Sequence, residues 1–73
     1  MTNVQETPQI DDTRLLYDVA ALAAATGMSK QYIRNDIRDK HLAAGDLGGR
    51  KYLIEISEAQ RYARWLASGR PAA

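Results

Sequence analysis

Residues 19–40 read VAALAAATGMSKQYIRNDIRDK. Residues 19–26 are rich in alanine and helical by propensity. Val19, Leu22 and Ala23 share one face at the i, i+3, i+4 spacing. Just upstream, the Asp18 carboxylate can accept the free N–H groups of a first turn. Gly27 tolerates the left-handed conformation that closes a helix. Ser29 is then a second N-cap, with Met28 at N′ and Ile33 at N4 in the spacing of a hydrophobic staple. A second helix is predicted over residues 30 to about 40, with Ile33 and Ile37 facing inward. Two helices thus meet across a turn of about three residues containing glycine, the layout of a helix-turn-helix. An ordinary αα-hairpin uses the same turn.

Working outward, residues 14–17 (Arg-Leu-Leu-Tyr) suit a brief strand that needs a partner elsewhere. Downstream, residues 42–47 and 50–55 read as two strands around Gly48-Gly49, which permits the positive φ of a tight hairpin. Ser57-Glu58-Ala59-Gln60 has the form of a capping box opening a third helix. Ala59, Tyr62, Ala63, Trp65 and Leu66 form its apolar side, and Gly69-Arg70-Pro71 stops it. Tyr17, Tyr52, Tyr62 and Trp65 are read as core. Residues 1–13 are polar and aperiodic and are expected to form a disordered arm, with residues 70–73 a flexible tail. The folded unit is then residues 14–69, a small α+β domain.

Composition narrows the function. The chain has 73 residues, ten Lys+Arg against nine Asp+Glu, one histidine and no cysteine. That bounds it to one domain, excludes a cysteine-based metal site and leaves His41 without partners for another. No apolar run approaches the ~18–20 residues of a membrane span. The N-terminus lacks the basic start and apolar core of a signal peptide. The sequence contains no Ser/His/Asp set, no G-x-x-x-x-G-K and no G-x-G-x-x-G. The expectation is a cytoplasmic domain that is not an enzyme, with no cofactor, no metal and no membrane partner.

The charge is uneven. Residues 1–18 hold Glu6, Asp11, Asp12 and Asp18 against Arg14 alone. Residues 28–51 hold Lys30, Arg34, Arg38, Lys40, Arg50 and Lys51 against Asp36, Asp39 and Asp46. A local basic stripe matters more for a polyanion than total charge does. At about 100° per residue, Lys30, Gln31, Arg34, Asn35 and Arg38 fall within an arc of roughly 140°, clear of Ile33 and Ile37. Arg and Lys suit guanine O6/N7, and Gln and Asn suit adenine N6/N7. The helix N-terminus, at Ser29, suits a phosphate. A merely solvated face would also be polar, but it usually mixes in acids, and this arc has none. Asp36 is expected to pair with Lys40 at i+4, and Asp39 to be solvated. Arg50 and Lys51, after Gly49, place cations at the hairpin tip, where they can meet phosphates or the minor groove. Lysine and arginine also guard edge strands against aggregation. Arg61 and Arg64 are expected to be solvated, and His41 to sit at a helix end where a cation suits the dipole.

Tyr17-Asp18-Val19-Ala20-Ala21-Leu22-Ala23, Gly27-Met28-Ser29-Lys30-Gln31-Tyr32-Ile33-Arg34, Ile37-Arg38, Leu42, Gly48-Gly49-Arg50-Lys51, Ile54, Ser57 and Ala59 occur in that order. Together they resemble the excisionase and MerR-like winged helix-turn-helix family of DNA-binding proteins, over residues 15–66. Where that family often has a glycine after the second helix, Lys40-His41 stands here. The resemblance implies a second helix in the major groove through Ser29, Lys30, Gln31, Arg34, Asn35 and Arg38. It implies a hairpin wing on the minor groove through Gly49, Arg50 and Lys51. The implied partners are double-stranded DNA and an integrase. The chain ends soon after Leu66 without a heptad stripe, which favours an architectural factor, a recombination directionality factor of a bacteriophage or mobile element, over a regulator with a dimerisation helix. Such a factor is expected to bind tandem sites cooperatively, associate head-to-tail and bend DNA so that excision is favoured. A small phage or MerR-like repressor is the alternative. A protein-interaction module without DNA is the third reading, and it would call for an exposed apolar patch.

Overall fold

The computed structural model describes residues 10 and 13–72. Among these residues, three helices pack on a three-stranded antiparallel sheet in the order β1(Leu16–Asp18), α1(Val19–Thr26), α2(Lys30–Arg38), β2(Gly45–Asp46), β3(Tyr52–Glu55) and α3(Ile56–Ala67). β3 lies between β1 and β2. Tyr17 faces Ile54 across one ladder, and Asp46 faces Tyr52 across the other. The partner that residues 14–17 needed is therefore the strand before the third helix.

Local chemistry sets the first two helices. Asp18 Oδ1 accepts the Ala21 N–H at 2.7 Å, and Ser29 Oγ accepts that of Tyr32 at 3.0 Å. Gly27 closes α1 in the left-handed region at φ +77, its N–H donating to the Ala23 carbonyl. Val19, Leu22 and Ala23 of α1 and Ile33 of α2 turn into a core completed by Tyr17, Leu42, Ile54, Ala59 and Tyr62. Leu22, Ile33, Ile54 and Tyr62 are wholly buried. Each aliphatic side chain contributes roughly 1.5–3 kcal/mol by leaving water. Ile37 packs at the margin of this core.

Four expectations are corrected. The capping box does not form. α3 begins at Ile56 with Glu55 at its N-cap and no side-chain cap, because β3 runs straight into the helix and the Ile56 N–H is taken by the Leu15 carbonyl at 3.0 Å. The first hairpin strand is not residues 42–47 but Gly45–Asp46. Leu42 is drawn into the core, and the Ala43 N–H is held by Glu58 Oε2 at 2.9 Å, so ladder pairing starts only at Gly45.

The hairpin turn is shifted by one residue. Lys51 N–H donates to the Gly48 carbonyl at 3.0 Å. The central pair is therefore Gly49-Arg50, at φ +60 and +66, rather than Gly48-Gly49. Two central residues at positive φ are what a type I′ turn requires.

Finally, Asp36 does not pair with Lys40. It is buried and pairs with Arg70 at 2.8 Å, a residue assigned from the sequence to the tail. The expected arm, residues 1–13, lies mostly outside the described residues; within it, Ile10 is half-buried against the core.

Candidate nucleic-acid interface

α2 presents its polar arc as the spacing predicts. Lys30, Gln31 and Arg38 are exposed, Arg34 within the arc and Asn35 at its edge are half-buried, and Ile33 and Asp36 are buried on the other side. Ser29 is exposed but engaged as the cap.

The arc is internally wired. Gln31 Nε2 donates to Asn35 Oδ1 at 2.8 Å, and Arg38 Nη1 donates to the same oxygen at 3.3 Å. Arg38 Nε and Nη2 also reach the Asp39 carboxylate at 3.0 and 3.3 Å. Asp39 is therefore not merely solvated. The hydrogen bond from Arg38 holds its carboxyl below the ordinary range, and the Arg38 pKa rises in turn. Lys30 and Arg34 are left as the arc's cations without an acidic partner among the described residues. The Arg34 Nε is buried with no hydrogen-bond partner. A donor left this way costs on the order of 1–3 kcal/mol.

At the hairpin tip, Gly49, Arg50 and Lys51 are all exposed. The tip is held by backbone. Leu47 N–H donates to the Lys51 carbonyl at 2.8 Å, and Gly48 N–H to Asp46 Oδ1 at 2.8 Å. Arg50 holds a left-handed φ that costs a residue with a Cβ roughly 1–2 kcal/mol.

An open groove of about 1230 Å³ joins the two elements. Ile37, Arg38 and Lys40 line it from the α2 end, Asp46 and Tyr52 from the hairpin, and Trp65 from α3. Tyr17 and Tyr62 are core as expected, but Tyr52 and Trp65 are only half-buried and wall this groove. The His41 ring stacks on Trp65 at 5.1 Å, and the Arg70 guanidinium lies 4.4 Å from the same ring. Arg61, expected to be solvated, forks onto Glu58 at 2.8 and 2.7 Å and donates to the His41 carbonyl at 2.7 Å. Arg61's hydrogen bond outweighs burial and holds the Glu58 carboxyl below its ordinary range. Arg61 and Glu58 thus bolt the loop after α2 onto α3.

No family model, curated protein or solved structure matches this chain. Its chemistry is read from its own residues. Among the described residues, no group of three or more His, Cys, Asp or Glu could hold a metal ion. No helix among them is long and apolar enough to cross a membrane.

Three features escaped the sequence reading. Asp39 engages Arg38 through a contact between adjacent residues, which helical spacing does not flag. Lys40 takes a left-handed φ of +69 just past α2, a conformation that a lysine does not signal locally. Leu15, Leu16 and Leu47 are 78%, 48% and 61% exposed.

Proposed function

We propose that this chain is a sequence-specific, architectural DNA-binding protein of winged helix-turn-helix layout. In this reading α2 enters the major groove and the β2–β3 hairpin is the wing. The observation that carries it is a single arc of Lys30, Gln31, Arg34, Asn35 and Arg38 on α2, no member of which is an acid, with Arg38 lining one groove together with residues of a hairpin whose tip carries Arg50 and Lys51. Such an arc offers bidentate base readout, and the tip offers phosphate contacts. The helix and wing working in neighbouring grooves favour a bent duplex.

The biological role proposed is that of an excisionase. Several copies on tandem sites associate head-to-tail and bend the DNA, and the curved assembly directs an integrase toward excision. The exposed leucines favour association between copies. They also fit the reading as a protein-interaction module without DNA.

Gel shifts on one-site and multi-site duplexes, a circular-permutation bending assay and a recombination assay with and without the protein test the proposal. Cooperative binding, a measurable bend and stimulated excision are expected. Independent binding to an inverted repeat, with no bend and a promoter effect alone, would favour a small repressor. No binding to any duplex would leave the interaction module.

A further inference from the structure

All three helices end on a left-handed residue, but not on the same residue type. Gly27 follows α1 at φ +77, and Gly69 follows Ser68 at the end of α3 at φ +88. At the equivalent place after α2 stands Lys40, at φ +69. The backbone is the same in the last two cases. Lys40 N–H donates to the Ile37 carbonyl and His41 N–H to that of Asp36, just as Gly69 N–H donates to Leu66 and Arg70 N–H to Trp65. This is the double closure of a Schellman motif, whose left-handed position favours glycine. A Cβ at Gly27 or Gly69 would meet nothing within 4 Å. Glycine is therefore asked for there by the dihedral and not by crowding, and the same dihedral at Lys40 is strained for a lysine.

The hairpin repeats the pattern. Gly48 and Gly49 take positive φ, and the third residue in the row is Arg50 at +66. Among the described residues, the non-glycine positions at positive φ are Lys40, Arg50 and Arg70, all cations. Arg70 has an internal reason, since its fork closes on Asp36. Lys40 and Arg50 have none: both are exposed, and neither has an acidic partner among the described residues. The groove between α2 and the hairpin is lined by the cations Arg38, Lys40, Arg61 and Arg70. Arg38, Arg61 and Arg70 are paired with Asp39, Glu58 and Asp36, which leaves Lys40 as the groove's unpaired one. Strained positions kept against the backbone's preference cluster where a ligand is held.

We infer that Lys40, which lines the α2–hairpin groove, and Arg50, at the hairpin tip, are a pair of DNA-phosphate anchors, each held at a position where the fold alone would favour glycine. The inference rests on the DNA-binding reading and adds Lys40 to its contacts. Both act as backbone contacts, giving affinity without sequence preference. A lysine near a helix C-terminus also gains from the dipole, so the Lys40→Gly variant is paired with Lys40→Arg, which keeps the charge.

The test uses the full chain, an unrelated duplex of about 30 base pairs, and binding measured by fluorescence anisotropy across a salt series. Lys40→Gly and Arg50→Gly should each keep or raise the Tm. Each should weaken binding roughly five- to tenfold near 100 mM salt and lower the slope of log K against log salt by about 0.9. Lys40→Arg should keep the wild-type slope. Arg64→Gln, a change at an exposed cation of α3, should leave the slope unchanged. An unchanged slope or a lowered Tm in either glycine variant overturns the assignment of that residue. An equal loss in Arg64→Gln would show a general charge effect and overturn both. Wild-type protein that binds no duplex would overturn the DNA reading itself, a result visible before any variant is made.

Discussion

Arg70 forks onto Asp36: Nη1 donates to Oδ2 at 2.8 Å and Nη2 to Oδ1 at 3.0 Å, across 34 residues of chain. The pair ties the end of α3 to the core side of α2, the helix that carries the polar arc. Tyr62 adds a third donor, its hydroxyl reaching Asp36 Oδ2 at 2.5 Å. Burial and this carboxylate together push the Tyr62 pKa well up, so the hydroxyl stays a donor at all ordinary pH. Tyr62→Phe removes that donor while leaving the ring in the core. The variant should lose about 1.5–3 kcal/mol, the range for a hydrogen bond to a charged group, read by urea denaturation. A loss under about 0.5 kcal/mol would show that Arg70 alone satisfies Asp36.

The same cluster sets an acid limit. Burial pushes the Asp36 carboxyl up, but the hydrogen bonds from Arg70 and Tyr62 and the charges of Arg70 and His41 outweigh it, and the net pKa is lowered. A group whose folded pKa is depressed contributes stability above its unfolded value, and loses it as the pH falls through the folded one. Stability should therefore be flat from neutrality down to the ordinary carboxylate range near pH 4, and fall below it. Asp36→Asn should be less stable at neutral pH and show a shallower acid loss. Unfolding measured between pH 2 and 7 checks both, and parallel acid limbs in the two proteins would remove Asp36 as the cause.

Both ends of α1 and the start of α2 were legible because caps are local: Asp18, Gly27 and Ser29 act within a turn of themselves. The start of α3 was not, because a carbonyl of Leu15, from the first strand, does the work that the Ser57 box advertised. Leu42 belongs by composition to a strand, and only the core's shape draws it out of the ladder. Asp36 did carry a signal. It lies beside Ile33 on the inward side of α2, where an acid calls for a cation. Its i+4 neighbour Lys40 was the wrong choice because the left-handed turn at that residue takes it off the helix. The polar arc could be read from spacing alone, but the contact that ties Arg38 to Asp39 lies between neighbours and follows from rotamers.

That contact makes the arginines of the arc unequal. Arg34 offers its guanidinium without an acidic partner, whereas Arg38 must leave Asp39 and Asn35 before it can bind a base or phosphate. On the DNA reading, Arg34→Ala should cost about 1–3 kcal/mol on a specific site, and Arg38→Ala less. Asp39→Asn should release Arg38, tightening binding to all duplexes and steepening the salt slope by up to about 0.9. Circular dichroism should be unchanged in all three. Equal losses for the two arginines, with no gain from Asp39→Asn, would show that the Arg38–Asp39 pair does not compete with DNA.

The leucines decide how copies meet. Leu15 and Leu16 are exposed at β1 and Leu47 just past β2, and β3 separates the two strands. The two sites thus lie at opposite edges of one sheet. A contact joining one to the other is heterologous and does not close on itself, unlike an isologous pair. Fully burying a leucine is worth roughly 1.5–3 kcal/mol. Even about 1 kcal/mol per contact changes a cooperativity constant roughly fivefold. Leu47→Ser and Leu15→Ser should each lower cooperativity on a two-site duplex by about that factor and leave one-site affinity as it is. Mixing the two variants separates the geometries. In a head-to-tail pair, a Leu47→Ser copy can still offer its Leu15 edge to the intact Leu47 of a Leu15→Ser copy, so one of the two orders on DNA regains the wild-type contact. Gel shifts with the mixture should therefore recover part of the lost cooperativity. If the mixture behaves like either variant alone, the leucines do not join opposite edges of neighbouring copies.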